Sequence, residues 1–136
     1  MPNGRALPTT QSFEEEIVRI LFVDDMRDTR ELFRMVLKLH DMEIRLAEDG
    51  REAVSAVEEE RFDAIIMDVE MPRLNGWDAV RTIRTLANGR HTPIIMFTAY
   101  GNGENHQRAL DIGANDLWFK PILPSEMISR LDAYLA

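Results

Sequence analysis

Four apolar runs in this chain each end at a residue whose side chain can take part in phosphoryl-transfer chemistry. The runs cover residues 17–23, 62–67, 93–97 and 117–119. The residues that follow them are Asp24 with Asp25, Asp68, Thr98, and Lys120 with Pro121. If the runs are parallel strands of one sheet, their carboxyl ends meet at one edge and these side chains share a cleft. Carboxylates, a hydroxyl and an ammonium together can bind a divalent cation and transfer a phosphoryl group to an aspartate.

Each of these residues also has a purely structural interpretation. An aspartate at the end of a strand can simply cap the following helix, threonine is common in strands, and lysine is common on surfaces. Three aspartates after fully apolar strands are harder to explain in this way, because clustered carboxylates repel one another unless a cation compensates. Oxygen ligands of this kind are what Mg²⁺ prefers. The proline after Lys120 allows a cis peptide bond, which would fix the direction of the lysine.

The elements that must position these side chains follow from the alternation of short apolar runs with helical patterns. This alternation predicts an α/β fold, a doubly wound five-stranded parallel sheet with helices on both faces. The predicted strands are 17–23, 42–46, 62–67, 93–97 and 115–119, and the predicted helices are 29–39, 51–59, 77–86, 103–112 and one that begins at 124. We expect Asp28 to cap the first helix and Leu32 to lie on its buried face. Residues 87–92 are predicted to form a loop.

Composition limits the classes of function that remain. The chain has 136 residues, 45% of them hydrophobic, which fits one globular domain. Its net charge of −8 makes nucleic acid a poor direct partner. The absence of cysteine excludes disulfides and thiolate metal sites and agrees with a cytoplasmic location. No apolar stretch has the length of a membrane helix.

The ends of the chain carry their own expectations. Residues 1–15, with prolines and a glycine, are predicted to be a flexible N-terminal leader, and residues 16–136 to be the globular domain. Because the last helical pattern runs to the end of the chain, we expect no room for an output domain. The histidines at positions 40, 91 and 106 are interpreted as surface residues.

The order and spacing of four sequence blocks resemble the signature of the response-regulator receiver domain of two-component systems. The blocks are Val23-Asp24-Asp25, then Met67-Asp68-Val69-Glu70-Met71-Pro72 with Asn75-Gly76, then Thr98-Ala99, and finally Lys120-Pro121. The resemblance covers about residues 17–136. It implies a flavodoxin-like (βα)5 fold with strand order 2-1-3-4-5.

The resemblance also implies roles for the acidic residues. Asp68 would be the phosphoacceptor, making the protein a phosphoprotein of a phosphorelay that catalyses only its own phosphorylation and dephosphorylation. Asp25, Asp68 and the backbone carbonyl of Glu70 would ligate Mg²⁺ directly, and Asp24 would hold it mainly through water. The phosphoryl donor would be a phosphohistidine on a histidine kinase or a histidine phosphotransfer protein.

The remaining implied roles concern signalling. Thr98 would bond a phosphoryl oxygen and move inward, and Lys120 would pair with the phosphoryl group. Many receivers carry Tyr or Phe where this chain has Leu117, and strand parity places the neighbouring Trp118 on the opposite face, so the threonine–aromatic switch is expected to differ. The weakly anchored helix 103–112, the last strand and the last helix would form the signalling face.

Several alternatives remain open. Glu70 and Tyr100 lie at the expected rim of the cleft, where we hypothesise that they tune the lifetime of the phosphorylated state, Tyr100 by screening it from water; the alternative is a solvated rim residue. The chain is interpreted as a stand-alone regulator or as a receiver domain cut from a hybrid histidine kinase or a longer regulator, with a homodimer possible. A phosphorylation-independent pseudo-receiver and an aspartate-dependent phosphohydrolase are the rival functions.

Overall fold

The computed structural model describes residues 17–99 and 103–135. The predicted leader 1–15 and Tyr100 lie outside the described residues. The strands are β1 Arg19–Val23, β2 Glu43–Ala47, β3 Ala64–Asp68, β4 Ile94–Thr98 and β5 Asp116–Phe119. The helices are α1 Arg27–Leu39, α2 Gly50–Glu59, α3 Gly76–Ile83, α4 Gly103–Asp111 and α5 Pro124–Leu135, with a short 3-10 helix at Ala87–Gly89.

The five strands form one parallel sheet in the order β2-β1-β3-β4-β5, which confirms the predicted order 2-1-3-4-5. The central strands β3 and β4 are buried along their whole length, as their continuous apolar sequences require in a sheet covered on both faces. Strand β2 is only partly buried and lies at the edge, in agreement with its alternating sequence. The apolar pattern therefore matches the position of each strand in the sheet.

Helices cover both faces of the sheet, and each face has its own apolar cluster. Helices α2, α3 and α4 contribute to the cluster on one face, and α1 and α5 contribute to the cluster on the other. Leu117 belongs to the first cluster and Trp118 to the second, so the predicted parity of these neighbours is confirmed. Among the described residues, no helix is long and apolar enough to span a membrane.

The prediction for the start of α1 is wrong. The helix begins at Arg27, and Met26 occupies the cap position without a capping side chain, so Asp28 lies in the first turn instead. There its negative charge still favours the helix N-terminus. Leu32, predicted to be buried, is 48% exposed, because α1 turns Phe33 and Leu37 towards the sheet.

Other element boundaries differ by one to three residues from those predicted. Helices α2 and α3 begin at Gly50 and Gly76, because the side chains of Asp49 and Asn75 accept hydrogen bonds from backbone amides in their first turns. Helix α3 ends at Ile83, and part of the predicted loop 87–92 forms the 3-10 helix. Gly113 has a φ of 108° just after α4, a backbone conformation that suits glycine and ends this helical segment.

Candidate functional site

The candidate functional side chains lie at the carboxyl edge of the sheet. Asp68 and Thr98 are the last residues of β3 and β4, while Asp24 and Lys120 directly follow β1 and β5. One carboxylate oxygen from each of Asp24, Asp25 and Asp68 lies within 4.8 Å of the others. The sheet therefore brings together the residues that the sequence pointed to.

Asp24 has one satisfied and one unsatisfied carboxylate oxygen. Its Oδ1 accepts a hydrogen bond from the amide of Met26 at 2.8 Å. Its Oδ2 is buried and has no hydrogen-bond partner among the described residues, with the ammonium of Lys120 at 3.8 Å. Burial raises the pKa of Asp24 despite the opposing hydrogen bond and the charge of Lys120. A buried oxygen of this kind is costly unless a further positive group satisfies it.

Asp68 is held in a fixed orientation. Its Oδ1 accepts hydrogen bonds from Lys120 Nζ at 3.1 Å and from the amide of Glu70 at 3.3 Å. Burial first, and then the neighbouring charge of Asp24, raise the pKa of Asp68 to about 7, although Lys120 opposes the shift. The single lysine therefore does not fully compensate the two buried carboxyl groups.

Lys120 is positioned by both its backbone and its side chain. Its amide donates to the carbonyl of Thr98 at 2.8 Å, and its ammonium lies 4.7 Å from the centre of the buried Phe97 ring. The peptide bond to Pro121 is cis. The hydrogen bond to Thr98 and the contact with the Phe97 ring direct the ammonium towards Asp68 and Asp24 rather than into solvent.

The donor set fits a divalent cation. Two buried carboxyl groups with raised pKa values lie beside the exposed Asp25, and the orphaned Oδ2 of Asp24 lies in the same cluster. A bound cation would favour the ionised carboxylates and satisfy that oxygen. All-oxygen donors are the set that Mg²⁺ and Ca²⁺ take. The assignment of the Glu70 backbone carbonyl as a further ligand stays a prediction.

A second acidic group, formed by Glu48, Asp49 and Glu52, also brings three carboxylates together. Here the carboxylates already have partners within the protein. Asp49 caps α2 and accepts a hydrogen bond from Arg73 Nε at 2.6 Å. Glu52 in turn accepts from the amide of Glu48 at 3.0 Å. We therefore interpret this group as structural.

Thr98 has a partner that the sequence did not reveal. Its hydroxyl donates to Glu70 Oε2 at 2.6 Å, and Thr98 itself is buried. The two residues are 28 positions apart, Glu70 in the segment that follows β3 and Thr98 at the end of β4, so no local pattern could have connected them. One indication from the sequence that Glu70 lies near Thr98 was its expected position at the rim of the cleft.

Asp116, the first residue of β5, lies outside this cleft and is a second residue whose contacts sequence reasoning missed. Its Oδ2 accepts hydrogen bonds from Trp118 Nε1 at 3.0 Å and Tyr134 Oη at 2.9 Å, and its Oδ1 lies 3.3 Å from His106 Nε2. Burial alone would raise the pKa of Asp116, but these hydrogen bonds and that of the Leu117 amide together lower it. Because His106 is in α4 and Tyr134 is in α5, Asp116 links both helices to β5. The surface interpretation of His106 therefore omitted its contact with Asp116.

Comparisons with known proteins agree with this geometry. A family model described as the response regulator receiver domain matches residues 20–132. The response regulator MprA of Mycolicibacterium vanbaalenii is 40% identical over 118 residues, which are 87% of this chain and 50% of that protein. An uncharacterised 14.6 kDa protein of Leptolyngbya boryana is 37% identical over 115 residues, 85% of this chain and 88% of that protein. The chain thus spans about half the length of MprA and most of the length of the second relative.

Solved structures show the same similarity. The chemotaxis protein CheY4 of Vibrio cholerae has a TM-score of 0.83 at 33% identity, covering 88% of this chain and 99% of that one. The receiver domain of the sensor histidine kinase PA1611 from Pseudomonas aeruginosa PAO1 has a TM-score of 0.80 at 34% identity, covering 88% and 98%. That structure has a magnesium ion coordinated in its active site cleft. The chain belongs to the family of response regulator receiver domains.

Proposed function

We propose that this receiver domain accepts a phosphoryl group on Asp68 from a phosphohistidine, in a reaction that requires Mg²⁺. The observation that carries the proposal is the contact of Lys120 with Asp68 beside the unsatisfied Oδ2 of Asp24. In the transfer, an Asp68 carboxylate oxygen forms a P–O bond while the P–N bond of the donor breaks and its electron pair returns to the imidazole. The product is an aspartyl phosphate.

The residues of the cleft have distinct roles in this proposal. Hydrogen bonds from Lys120 and the Glu70 amide orient the Asp68 carboxylate, and the ammonium is placed to pair with the incoming phosphoryl oxygens. Mg²⁺, held by Asp25, Asp68 and the Glu70 carbonyl with Asp24 acting mainly through water, would neutralise charge on the transferring group. The magnesium seen in the PA1611 receiver domain supports this choice of ion.

The proposed donor is a histidine kinase or a histidine phosphotransfer protein, because the family takes part in two-component signalling. Relatives include a receiver domain of a sensor histidine kinase and regulators about twice as long as the matched region. The proposed contexts for this chain are therefore a stand-alone regulator, a hybrid kinase and a longer regulator. The proposed catalysis is limited to phosphorylation and dephosphorylation of the protein itself, at a cytoplasmic location.

The test of the proposed reaction is incubation with acetyl phosphate with and without Mg²⁺, read by intact mass. We expect the mass of one phosphoryl group to appear with Mg²⁺ and to be absent when EDTA is in excess, since Lys120 alone does not offset the repulsion among the carboxylates. Asp24→Asn, which removes one charge from the cluster, should require a higher Mg²⁺ concentration. Equal phosphorylation with and without the ion would contradict the metal requirement.

We also propose that phosphorylation is signalled through the face formed by α4, β5 and α5. Of the nine residues of α4, all of which the structure describes, one is buried, Ala109, while Leu110 is 39% exposed. A helix with so few buried anchors is expected to open or shift at low cost. The bonds of Asp116 to His106 and Tyr134 link this helix to the rest of the face.

Hydrogen exchange measures this signalling directly. Addition of beryllofluoride and Mg²⁺, a mimic of the phosphoryl group, should change the exchange rates of α4 amides several-fold, because the mimic shifts the population of a weakly held helix. Helix α2 buries four of its ten residues and serves as the internal control, with rates that stay the same. Unchanged exchange in α4 would rule out this route for the signal.

A further inference from the structure

We propose that Glu70 is a positioning residue that holds the Thr98 hydroxyl in its unphosphorylated orientation and must release it when Asp68 is phosphorylated. The inference rests on the proposed function and adds a residue to it. Neither the resemblance of the sequence blocks nor the similarity to other receivers assigns this role to the Glu70 side chain.

The first support is the geometry of Glu70, which makes hydrogen bonds with both Thr98 and Asp68. Its side chain accepts the hydroxyl hydrogen bond of Thr98 at 2.6 Å, while its amide donates to Asp68 Oδ1 at 3.3 Å. Glu70 therefore lies between the residue that would receive the phosphoryl group and the residue that would respond to it.

The second support is the rigidity of the Thr98 backbone. Thr98 is the last residue of the fully buried strand β4, and its carbonyl accepts a hydrogen bond from the amide of Lys120. With the backbone held on this side, rotation of the side chain is the low-cost motion left to the residue. The direction of the hydroxyl therefore depends on which acceptor it bonds.

The third support is the chemistry of the hydroxyl. A threonine hydroxyl has a single hydrogen to donate, so a phosphoryl oxygen and Glu70 compete for it. Phosphorylation also replaces the single negative charge of the Asp68 carboxylate by about −1.5 to −2 charges on the phosphoryl group, and this additional negative charge repels the carboxylate of Glu70. Phosphorylation thus supplies a competing acceptor and weakens the existing one in the same step. The hydrogen bond favours the resting state, and its loss should favour the activated one.

The alternative explanation is that Glu70 acts only through its charge. Two substitutions separate charge from hydrogen bonding. Glu70→Gln removes the charge but keeps an oxygen acceptor, whereas Glu70→Ala removes both. Thr98→Val removes the hydroxyl and keeps the branched shape. Glu58→Ala, at an exposed glutamate in α2, is the matched control for a general change in net charge.

The first experiment is a double-mutant cycle on urea unfolding of the unphosphorylated protein without Mg²⁺. Because the acceptor is a carboxylate, Glu70→Ala and Thr98→Val should be coupled by roughly tenfold in the unfolding equilibrium constant. This readout needs neither the ion nor phosphorylation. Additive effects of the two substitutions would overturn the proposed hydrogen bond.

The second experiment measures binding of beryllofluoride in the presence of Mg²⁺. Glu70→Ala should tighten binding by about tenfold when Thr98 is present, because the resting contact no longer has to be broken. Most of that gain should vanish in the Thr98→Val background and in Glu70→Gln, which keeps the acceptor. An equal gain in both backgrounds would assign the effect to charge and overturn the positioning role.

The two proposals fail in different ways. If the wild-type protein neither binds beryllofluoride nor gains a phosphoryl group, the proposed function and the release step are overturned, while the unfolding cycle still decides the resting hydrogen bond. If the wild-type protein is phosphorylated but the double-mutant cycle shows no coupling between Glu70→Ala and Thr98→Val, only the positioning role is overturned.

Discussion

Asp68→Asn is expected to abolish the gain of a phosphoryl group from acetyl phosphate and Mg²⁺. The amide oxygen of asparagine can still accept the hydrogen bond of Lys120 seen at 3.1 Å, but the amide is a far weaker nucleophile than a carboxylate. We expect at least a roughly hundredfold loss in the rate of phosphorylation, read by intact mass over time. Asp132→Asn, at an exposed position in α5, is the matched control and should be phosphorylated like the wild-type protein.

The same variant is expected to fold at least as well as the wild-type protein. Burial, followed by the charge of Asp24, raises the pKa of Asp68 from 3.8 to about 7. As pH rises across that interval, the unfolded chain loses its proton first, so the stability of the folded state falls. The substitution Asp68→Asn would remove this cost, so thermal unfolding at pH 8 should show no loss of stability.

If the wild-type protein shows no Asp68-dependent gain of a phosphoryl group, the pseudo-receiver becomes the better interpretation. Turnover of small phosphate esters would favour the phosphohydrolase.

Gly76→Ala is expected to weaken both the fold and the phosphorylation. A Cβ atom at Gly76 would lie 2.2 Å from the carbonyl oxygen of Asp68 and 2.9 Å from Cα of Val69, both of them backbone atoms. The amide of Gly76 also donates to the carbonyl of Val69 at 3.0 Å. The extra methyl group must therefore displace the start of α3 or the end of β3, at a cost of about 1–3 kcal/mol or more.

The displacement should also slow phosphorylation, because the added Cβ atom of residue 76 would displace Asp68, the proposed phosphoacceptor. A shift of about 1 Å in a reacting group can cost on the order of a hundredfold in rate, so phosphorylation by acetyl phosphate should be slowed by at least tenfold. Gly103→Ala is the matched control, since an added Cβ there meets no described residue within 4 Å and favours the helix. Urea unfolding and intact mass measure the two effects. Equal behaviour of the two variants would show that the close contact at Gly76 is not needed.

The main features of the fold could be predicted because a strand that is buried on both faces of the sheet has a continuous apolar sequence. The strands that contain Ile65 and Ile95 are apolar up to their last residue, since each lies between two layers of helices. The start of α1 could not be predicted in the same way. Asp28 resembles a cap, but Asp24 Oδ1 accepts from the Met26 amide and the helix begins earlier.

Within the candidate site, the predictable residues were those attached to strand ends. Asp24, Asp68, Thr98 and Lys120 follow apolar runs, and a parallel sheet brings such positions to one edge whatever the details of packing. Asp116 could not be recognised, because it lies within the predicted last strand and its partners are in three separate elements. Its hydrogen bonds with His106 and Tyr134 depend on how α4 and α5 pack beside β5.

The sequence by itself determined the parallel α/β architecture and the chemical groups at the carboxyl edge of the sheet. Both follow from local patterns, since the hydrophobic pattern identifies buried strands and side chains alternate between the two faces of a strand. The tertiary structure decided which oxygen atoms of those groups are satisfied. It left Oδ2 of Asp24 without a hydrogen-bond partner among the described residues, directed Lys120 to Asp68, and placed Glu70 on the hydroxyl of Thr98. These outcomes depend on distances between residues far apart in the chain, where a shift of about 1 Å makes or breaks a hydrogen bond.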